Sequence, residues 1–168
     1  MSCAIAGGLF THAQTLEHLA LIRERLTFPD GVRLMDKPIP YRGGVERMFR
    51  RAESSSFFGR EVGLMYTQAH LRFCEALALI RDHDALWDEL RKVNAATMTS
   101  AVPNAALRQR NCYFTSSDAA FCDRYQASAE WDRVAAGAIP VEDGWRVYSG
   151  GPGLFVKLLI RARQDAVA

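Results

Sequence analysis

A long apolar pattern with helical periodicity runs from Arg60 to Arg81 and limits the fold class more than any other part of the sequence. Apolar residues recur at the three- and four-residue intervals of an α-helix, at Val62, Met65, Ala69, Phe73, Ala76 and Ile80. A narrow polar strip lies beside them and contains Glu61, Gln68, Arg72 and Glu75. A helix that is apolar on most sides is buried between layers. The pattern therefore predicts a mainly α-helical fold, with the strip facing a cleft or a buried ion-pair network.

The same repeat predicts three further helices, which are His12–Leu26, Ala85–Asn94 and Leu154–Gln164. Their inward faces are expected to include Leu16, Leu19, Ile22 and Leu26 in the first and Phe155, Leu158, Leu159 and Ala162 in the last. Short extended segments are predicted at Val32–Leu34 and in a β-hairpin near the C-terminus. That hairpin pairs Ile139–Val141 with Trp145–Tyr148 around Glu142-Asp143-Gly144. We interpret His70, which points away from the polar strip, as a packing histidine.

Composition excludes several classes of protein. The 168 residues fit a single domain, and the 49% apolar content is sufficient for a core. A net charge of +2 with dispersed arginines argues against a nucleic-acid surface. No apolar run approaches the roughly 20 residues of a membrane span. The four cysteines show no closely paired spacing, so we expect reduced thiols, no metal site and a cytoplasmic location.

The segment Trp145–Gly153 places small residues directly before the last predicted helix. Pro152 suits the first helical position, and glycine lets a ligand approach the backbone. A helix that begins in this way offers free N–H groups and the positive end of its dipole, which favours a phosphate. An ordinary loop followed by a capped helix explains the same residues, and both interpretations stay open.

A second polar segment, 107–125, mixes aromatic rings with amides, hydroxyls and charges. It contains Arg110, Asn111, Tyr113, Phe114, Ser116, Asp118, Phe121, Asp123, Arg124 and Tyr125. Sugar-binding clefts use this combination, because a pyranose offers an apolar face together with many hydroxyls. A buried loop of ion pairs between the arginines and the aspartates is the alternative interpretation.

Several long motifs in the chain resemble glycoside hydrolase family 94, which contains cellobiose and chitobiose phosphorylases and the phosphorylase-like domain of cyclic β-1,2-glucan synthases. The similarity is strongest to the glucan-synthase type and extends from about Gly31 to Ile160. The motifs that carry it are Phe57–Tyr66, Asn104–Phe114, Ser116–Phe121, Asp123–Tyr125 and Gly144–Ser149.

The resemblance implies a partial (α/α)₆ barrel, in which residues 1–168 form the C-terminal part of a catalytic domain. It also implies reversible phosphorolysis of a β-glucoside with inversion, which yields a sugar 1-phosphate. One carboxylic acid protonates the leaving oxygen while phosphate attacks from the opposite face, in the geometry of inverting hydrolases. No cofactor is implied, since inorganic phosphate is the co-substrate. A membrane would be a partner only within a cyclic glucan synthase.

The resemblance also assigns site residues, and none of them is catalytic. Glu61 matches a glutamate of the family's substrate cleft, and Arg110, Tyr113 and Asp118 belong to the motifs that carry the resemblance and are expected to bind sugar. Ser149 and Gly150 match a hydroxyl residue and a glycine amide on phosphate. Gln68 lies where phosphorylases have a phosphate-contacting histidine, and its neutral amide donates a hydrogen bond without adding positive charge.

The family's general acid is an aspartate in an Asp-Trp-Asn-Asp-Gly-like motif upstream of the matched region. Residues 1–28 contain no such motif and no acidic residue before Glu17. We therefore expect the isolated chain to lack phosphorylase activity, and the missing N-terminal part of the same enzyme to be its partner. A carbohydrate- or anion-binding helical module and a small helical interaction protein remain alternatives.

Overall fold

The computed structural model describes residues 1–34, 58–60, 62–63, 65–94, 96–103, 118–119, 129, 132–133, 141–142 and 151–165. Within these ranges, the helices are designated α1 to α6 in chain order: Ser2–Ala6, His12–Leu26, Thr67–Leu79, His83–Val93, Met98–Ala101 and Pro152–Asp165. Six short strands are designated β1 to β6: Thr27–Phe28, Gly31–Val32, Phe58–Arg60, Val62–Gly63, Asp118–Ala119 and Val141–Glu142. The described part of the chain is thus mainly helical, as predicted.

Helix α3 lies at the centre of the described core. Helices α1, α4 and α6 pack against it, and α4 also contacts α6. Its buried side chains cover most of its circumference, as expected for a helix between layers, and include Leu71, Phe73, Cys74, Ala76, Leu77 and Ala78. The inward residues of α6 are Phe155, Leu158 and Ala162, with Leu159 packed beside them. This agrees with the predicted face of α6.

The predicted start of the central helix at Arg60 is wrong, because α3 begins at Thr67. Strands β3 and β4 pair with each other before it, and Met65 forms a β-bridge with Arg33. Glycines at positions 59 and 63 disfavour a helix by about 1 kcal/mol each. The N–H of Met65 also has a partner outside the helix, the Asp30 carboxylate, at 2.7 Å. Glu61 itself lies outside the described residues, and the helical strip therefore begins at Gln68.

Helix α2 has the predicted bounds and a capping box at its N-terminus. The hydroxyl of Thr11 accepts from the Gln14 N–H at 3.3 Å, and the side-chain Oε1 atom of Gln14 accepts from the Thr11 N–H at 3.0 Å. Leu19 and Ile22 are buried as expected. Leu16 is exposed, contrary to the prediction, and Thr15 is buried beside the other two. Leu26 packs against the core as predicted, so the buried face of α2 differs from the prediction only in its first residue.

The strand predicted at Val32–Leu34 is β2, which spans Gly31–Val32 and pairs with β1 around Pro29 and Asp30. Of the strand predicted at Ile139–Val141, only Val141 lies in the described residues; it belongs to β6, which forms a small antiparallel sheet with β5. Glu142, which was predicted to begin the turn, is the second residue of that strand. The predicted partner, Trp145–Tyr148, lies outside the described residues.

Candidate functional site

Two of the seven predicted site residues lie in the part of the chain that the structure describes. Gln68 is in the first turn of α3, and Asp118 is the first residue of β5. The other five lie outside the described residues and are Glu61, Arg110, Tyr113, Ser149 and Gly150.

Three distant segments that flank predicted site residues converge through short strands. Strand β5 contains Asp118 and lies against β3, which immediately precedes Glu61. Strand β5 also pairs with β6, with Asp118 opposite Glu142 and Ala119 opposite Val141. Strand β3, which precedes Glu61, and strand β6, which ends at Glu142, therefore both lie next to the segment of Asp118. Helical periodicity did not predict this arrangement, since these contacts are made by extended chain.

Gln68 presents an exposed amide at the beginning of α3. Its Oε1 atom accepts a hydrogen bond from the Tyr66 hydroxyl at 3.3 Å. Tyr66 precedes the helix in an extended conformation, and its side chain makes no capping hydrogen bond. A neutral amide in this position offers hydrogen bonds to a ligand without a formal charge.

The rest of the polar strip forms an ion-pair network between two helices. Glu75 accepts hydrogen bonds from Arg72 at 2.7 Å and from Lys157 of α6 at 3.1 Å. Burial alone would raise the pKa of the Glu75 carboxyl, but the hydrogen bonds from both cations outweigh burial and lower it. Arg72 and Glu75 of the strip therefore do form ion pairs, but the predicted burial is not found, since the Arg72 and Lys157 side chains are 41% and 63% exposed. Gln68 is exposed as well.

A second, fully buried ion pair was not predicted. The Nε and Nη2 atoms of Arg33 donate to Oδ1 of Asp30 at 2.9 and 2.8 Å, and the guanidinium lies 3.9 Å above the ring of Phe28. Both charged side chains are at most 4% exposed. The other oxygen of Asp30 binds the Met65 N–H, so this pair joins the β1–β2 turn to the segment between Glu61 and Gln68. In the sequence, the signal for this pair was the opposite charges of Asp30 and Arg33, three residues apart around a turn that contains Gly31.

His70 is a packing histidine, as predicted, and both ring nitrogens have partners. Nδ1 accepts from the Val32 N–H at 3.0 Å, and Nε2 lies 2.9 Å from the Glu89 carbonyl oxygen. An N–H group only donates and a carbonyl only accepts, so the ring is the neutral Nε2–H tautomer. Burial lowers the pKa of His70, although the Glu89 carboxylate opposes this shift.

The last helix begins at Pro152, as the proposed phosphate-binding helix start requires. The N–H of Phe155 donates to the carbonyl of Gly151, and the space around Gly153 is open. Among the described residues, no three His, Cys, Asp or Glu side chains are grouped so that they would hold a metal ion. No helix in the described ranges has the length and apolar character needed to cross a membrane.

The chain is similar to a known phosphorylase over nearly its whole length. It is 52% identical over 157 residues to the 1,2-beta-oligoglucan phosphorylase of Listeria innocua serovar 6a. The match covers 94% of this chain and 14% of that relative, so the chain spans about one seventh of the relative's length. No family model matches the chain.

A match to so small a part of a longer phosphorylase is consistent with the C-terminal portion that the motifs indicated. The Listeria relative is a family 94 enzyme, which confirms the resemblance read from the motifs. The chain is therefore a sequence relative of glycoside hydrolase family 94.

Proposed function

We propose that this chain forms part of an inverting glycoside phosphorylase that acts on β-1,2-linked oligoglucans. The observation that carries the proposal is the 52% identity to a 1,2-beta-oligoglucan phosphorylase across 94% of the chain. That similarity supports a glycoside phosphorylase-like function in general, and the β-1,2 linkage is proposed from the relative's name. Cellobiose and cyclic glucans, on which other family members act, are then less favoured as substrates of this enzyme.

In this proposal residues 1–168 are one unit of a helical barrel. Helices α3 and α4 pack against each other and are joined by a short turn at residues 80–82, as a helical hairpin of an (α/α)₆ barrel would be, and α6 packs against both. The remainder of the barrel belongs to the family enzyme outside the segment matched here. The location proposed for the chain is cytoplasmic, on the cysteine spacing of its sequence.

The proposed sugar site contains Glu61, Arg110, Tyr113 and Asp118, and the proposed phosphate site contains Gln68, Ser149 and Gly150. The convergence of β3, β5 and β6 supports this grouping, because it brings three of the flanking segments together. The start of α6 beyond Ser149 and Gly150 supports an anion there, since helix N-termini favour phosphate. The proposed phosphorolysis uses phosphate as a co-substrate and needs no metal or organic cofactor.

The chemistry divides between binding and proton transfer. Phosphate attacks the anomeric carbon, the glycosidic bond breaks, and a carboxylic acid gives its proton to the leaving oxygen. This chain is proposed to supply groups that hold phosphate and sugar, and the family's acid motif has no counterpart in residues 1–28. We therefore expect binding by the isolated chain without turnover.

A phosphate-release assay tests this proposal. The purified chain is incubated with glucose 1-phosphate and a β-1,2-linked glucose disaccharide, and free phosphate is measured over hours. We expect no release above the protein-free control, together with measurable binding of phosphate by calorimetry. Sustained release would contradict the missing-acid argument, and absence of both release and binding by a folded chain would contradict the proposed site.

A further inference from the structure

The buried imidazole of His70 joins three elements that are far apart in the chain. It projects from α3, accepts from the N–H of Val32 in β2, and donates to the carbonyl of Glu89 in α4. A Cβ atom added to Gly31 would lie 2.9 Å from its Nδ1 atom, so the hairpin backbone lies directly against the ring. The ring is completely buried.

We infer that His70 is a proton-sensitive latch, and that its protonation releases the β1–β2 hairpin from the helical core. The Nδ1 atom has a single lone pair, which the Val32 N–H uses in the neutral ring. Protonation replaces that lone pair with an N–H, so two donors face each other and the contact is lost. The Glu89 carbonyl still accepts from Nε2, so the ring stays bound to α4 while the hairpin is released.

The charged groups around the ring favour this asymmetry. The Oε2 atom of Glu89 lies 3.6 Å from Nε2, is buried, and has no hydrogen-bond partner among the described residues. Its other oxygen binds Lys92 at 2.8 Å. An imidazolium would therefore gain attraction on the α4 side and lose its bond on the hairpin side. The titratable and charged groups that face the ring are Cys74 from α3, Glu89 and Lys92 from α4, and Asp30 and Arg33 from the hairpin.

The direction of the pH effect follows from linkage. The closed state holds His70 neutral, and burial lowers its pKa there. Opening the hairpin exposes the ring to water and leaves it beside the Glu89 carboxylate, so its pKa is then at least the ordinary value of about 6.5. The latch is therefore complete at pH values above the pKa of the opened state. It weakens about tenfold for each pH unit below that value, until the pH reaches the lowered pKa of the closed state.

Release would extend beyond the hairpin. Asp30 lies in the hairpin turn and binds the N–H of Met65, two residues before α3 begins. Opening would thus loosen the segment that leads to Gln68. This inference does not depend on the proposed phosphorylase function, since it concerns only the contacts of His70.

Amide hydrogen exchange of the chain, measured by NMR between pH 7.5 and 5, tests the latch. Protection factors are compared, because dividing by the intrinsic exchange rate removes the pH dependence of the chemistry itself. We expect the Val32 amide to lose about tenfold protection per pH unit below 6.5, while Leu90 in α4 keeps its protection. Constant protection at Val32, or a parallel loss at Leu90, would overturn the inference.

Two variants make the test specific to this ring. Gln at position 70 provides one acceptor and one donor without titrating, so His70→Gln should flatten the pH dependence at Val32. His12 is exposed, and His12→Gln should leave the wild-type dependence unchanged. If His70→Gln does not fold, the ¹⁵N titration of the wild-type ring decides. A His70 that becomes protonated while Val32 stays protected would overturn the latch.

Discussion

Gly31 occupies a position that no other residue fits without distortion. Its φ angle is +129°, a region that side chains rarely adopt, and an added Cβ would lie 2.9 Å from Nδ1 of His70 and 3.1 Å from Cγ of Met65. Both neighbours are fully buried and cannot move into solvent. The tight turn and the histidine therefore depend on the same glycine.

We expect Gly31→Ala to lower the free energy of unfolding by about 2–4 kcal/mol, because backbone strain and overpacking act together. Urea unfolding followed by circular dichroism measures the change. Gly153→Ala is the matched control, since nothing lies within 4 Å of its Cβ position and a helical alanine contributes up to about 1 kcal/mol over glycine. Equal effects of the two substitutions would contradict this account of the turn.

Gln68 allows a direct test of the proposed phosphate site. Gln68→His should bind phosphate about fivefold more tightly at pH 6 and no more tightly at pH 8, because an exposed imidazole has a pKa near 6.5 and a hydrogen bond from a charged donor contributes about 1 kcal/mol more. Calorimetry gives both dissociation constants. Gln68→Asn corrects for the titration of phosphate itself, and a gain that is equal at both pH values would refute a charge effect at this position.

At the scale of elements, the buried pair of Asp30 and Arg33 decides how the chain enters α3. A buried ion pair contributes little net stability, but removing one partner leaves an uncompensated charge. Burial lowers the pKa of Arg33, and Asp30 opposes that shift, so the carboxylate keeps the guanidinium charged. Its second oxygen fixes Met65 in an extended conformation.

Asp30→Ala should therefore destabilise the chain by about 3–5 kcal/mol, and the amide of Met65 should lose protection from exchange. Urea unfolding and amide exchange give the two readouts. Glu24→Gln removes a charge from an exposed pair with Arg25 and should change stability by less than about 1 kcal/mol. A small effect of Asp30→Ala would mean that the pair does not organise this segment.

Local periodicity was sufficient to predict α2, α4 and α6 to within a residue or two, because amphipathic repeats and caps are properties of contiguous sequence. It failed between Arg60 and Tyr66, where Asp30, 35 residues away, takes the Met65 N–H that a helix would have used. The packing role of His70 was predictable from its place on an apolar face.

The candidate site was less accessible to sequence reasoning. Family motifs pointed to Glu61, Gln68 and Asp118, but periodicity put Glu61 and Gln68 on one helical strip that the structure does not form. The approach of β3 to β5 is a long-range backbone contact and leaves no periodic signal. The hydrogen bonds of the buried Asp30 carboxylate likewise could not be predicted, because only the fold brings Arg33 and Met65 to it together.

At the scale of the whole molecule, burial divides the described cysteines into two kinds. Cys74 is fully buried in the core, and desolvation raises its pKa well above that of a free thiol. Cys3 is exposed at the N-terminus. Since the thiolate is the reactive form, the folded chain should protect one thiol and leave the other open to reagents.

Brief treatment with iodoacetamide at pH 8, followed by peptide mass spectrometry, should find Cys3 modified at least tenfold more than Cys74. In 6 M urea the two should react to similar extents. Rapid modification of Cys74 in the native chain would show that the packing of α3 against α1 and α4 is not as described.

The central claim is that this chain retains part of a family 94 sugar and phosphate site. Amide NMR spectra of the ¹⁵N-labelled chain, recorded with and without phosphate and a β-1,2-linked glucose disaccharide, test it most directly. We predict shifts confined to Gln68, the start of α6 and strands β3 and β5, with Leu19 in α2 unchanged. A well-dispersed spectrum that both ligands leave unaltered would contradict the claim.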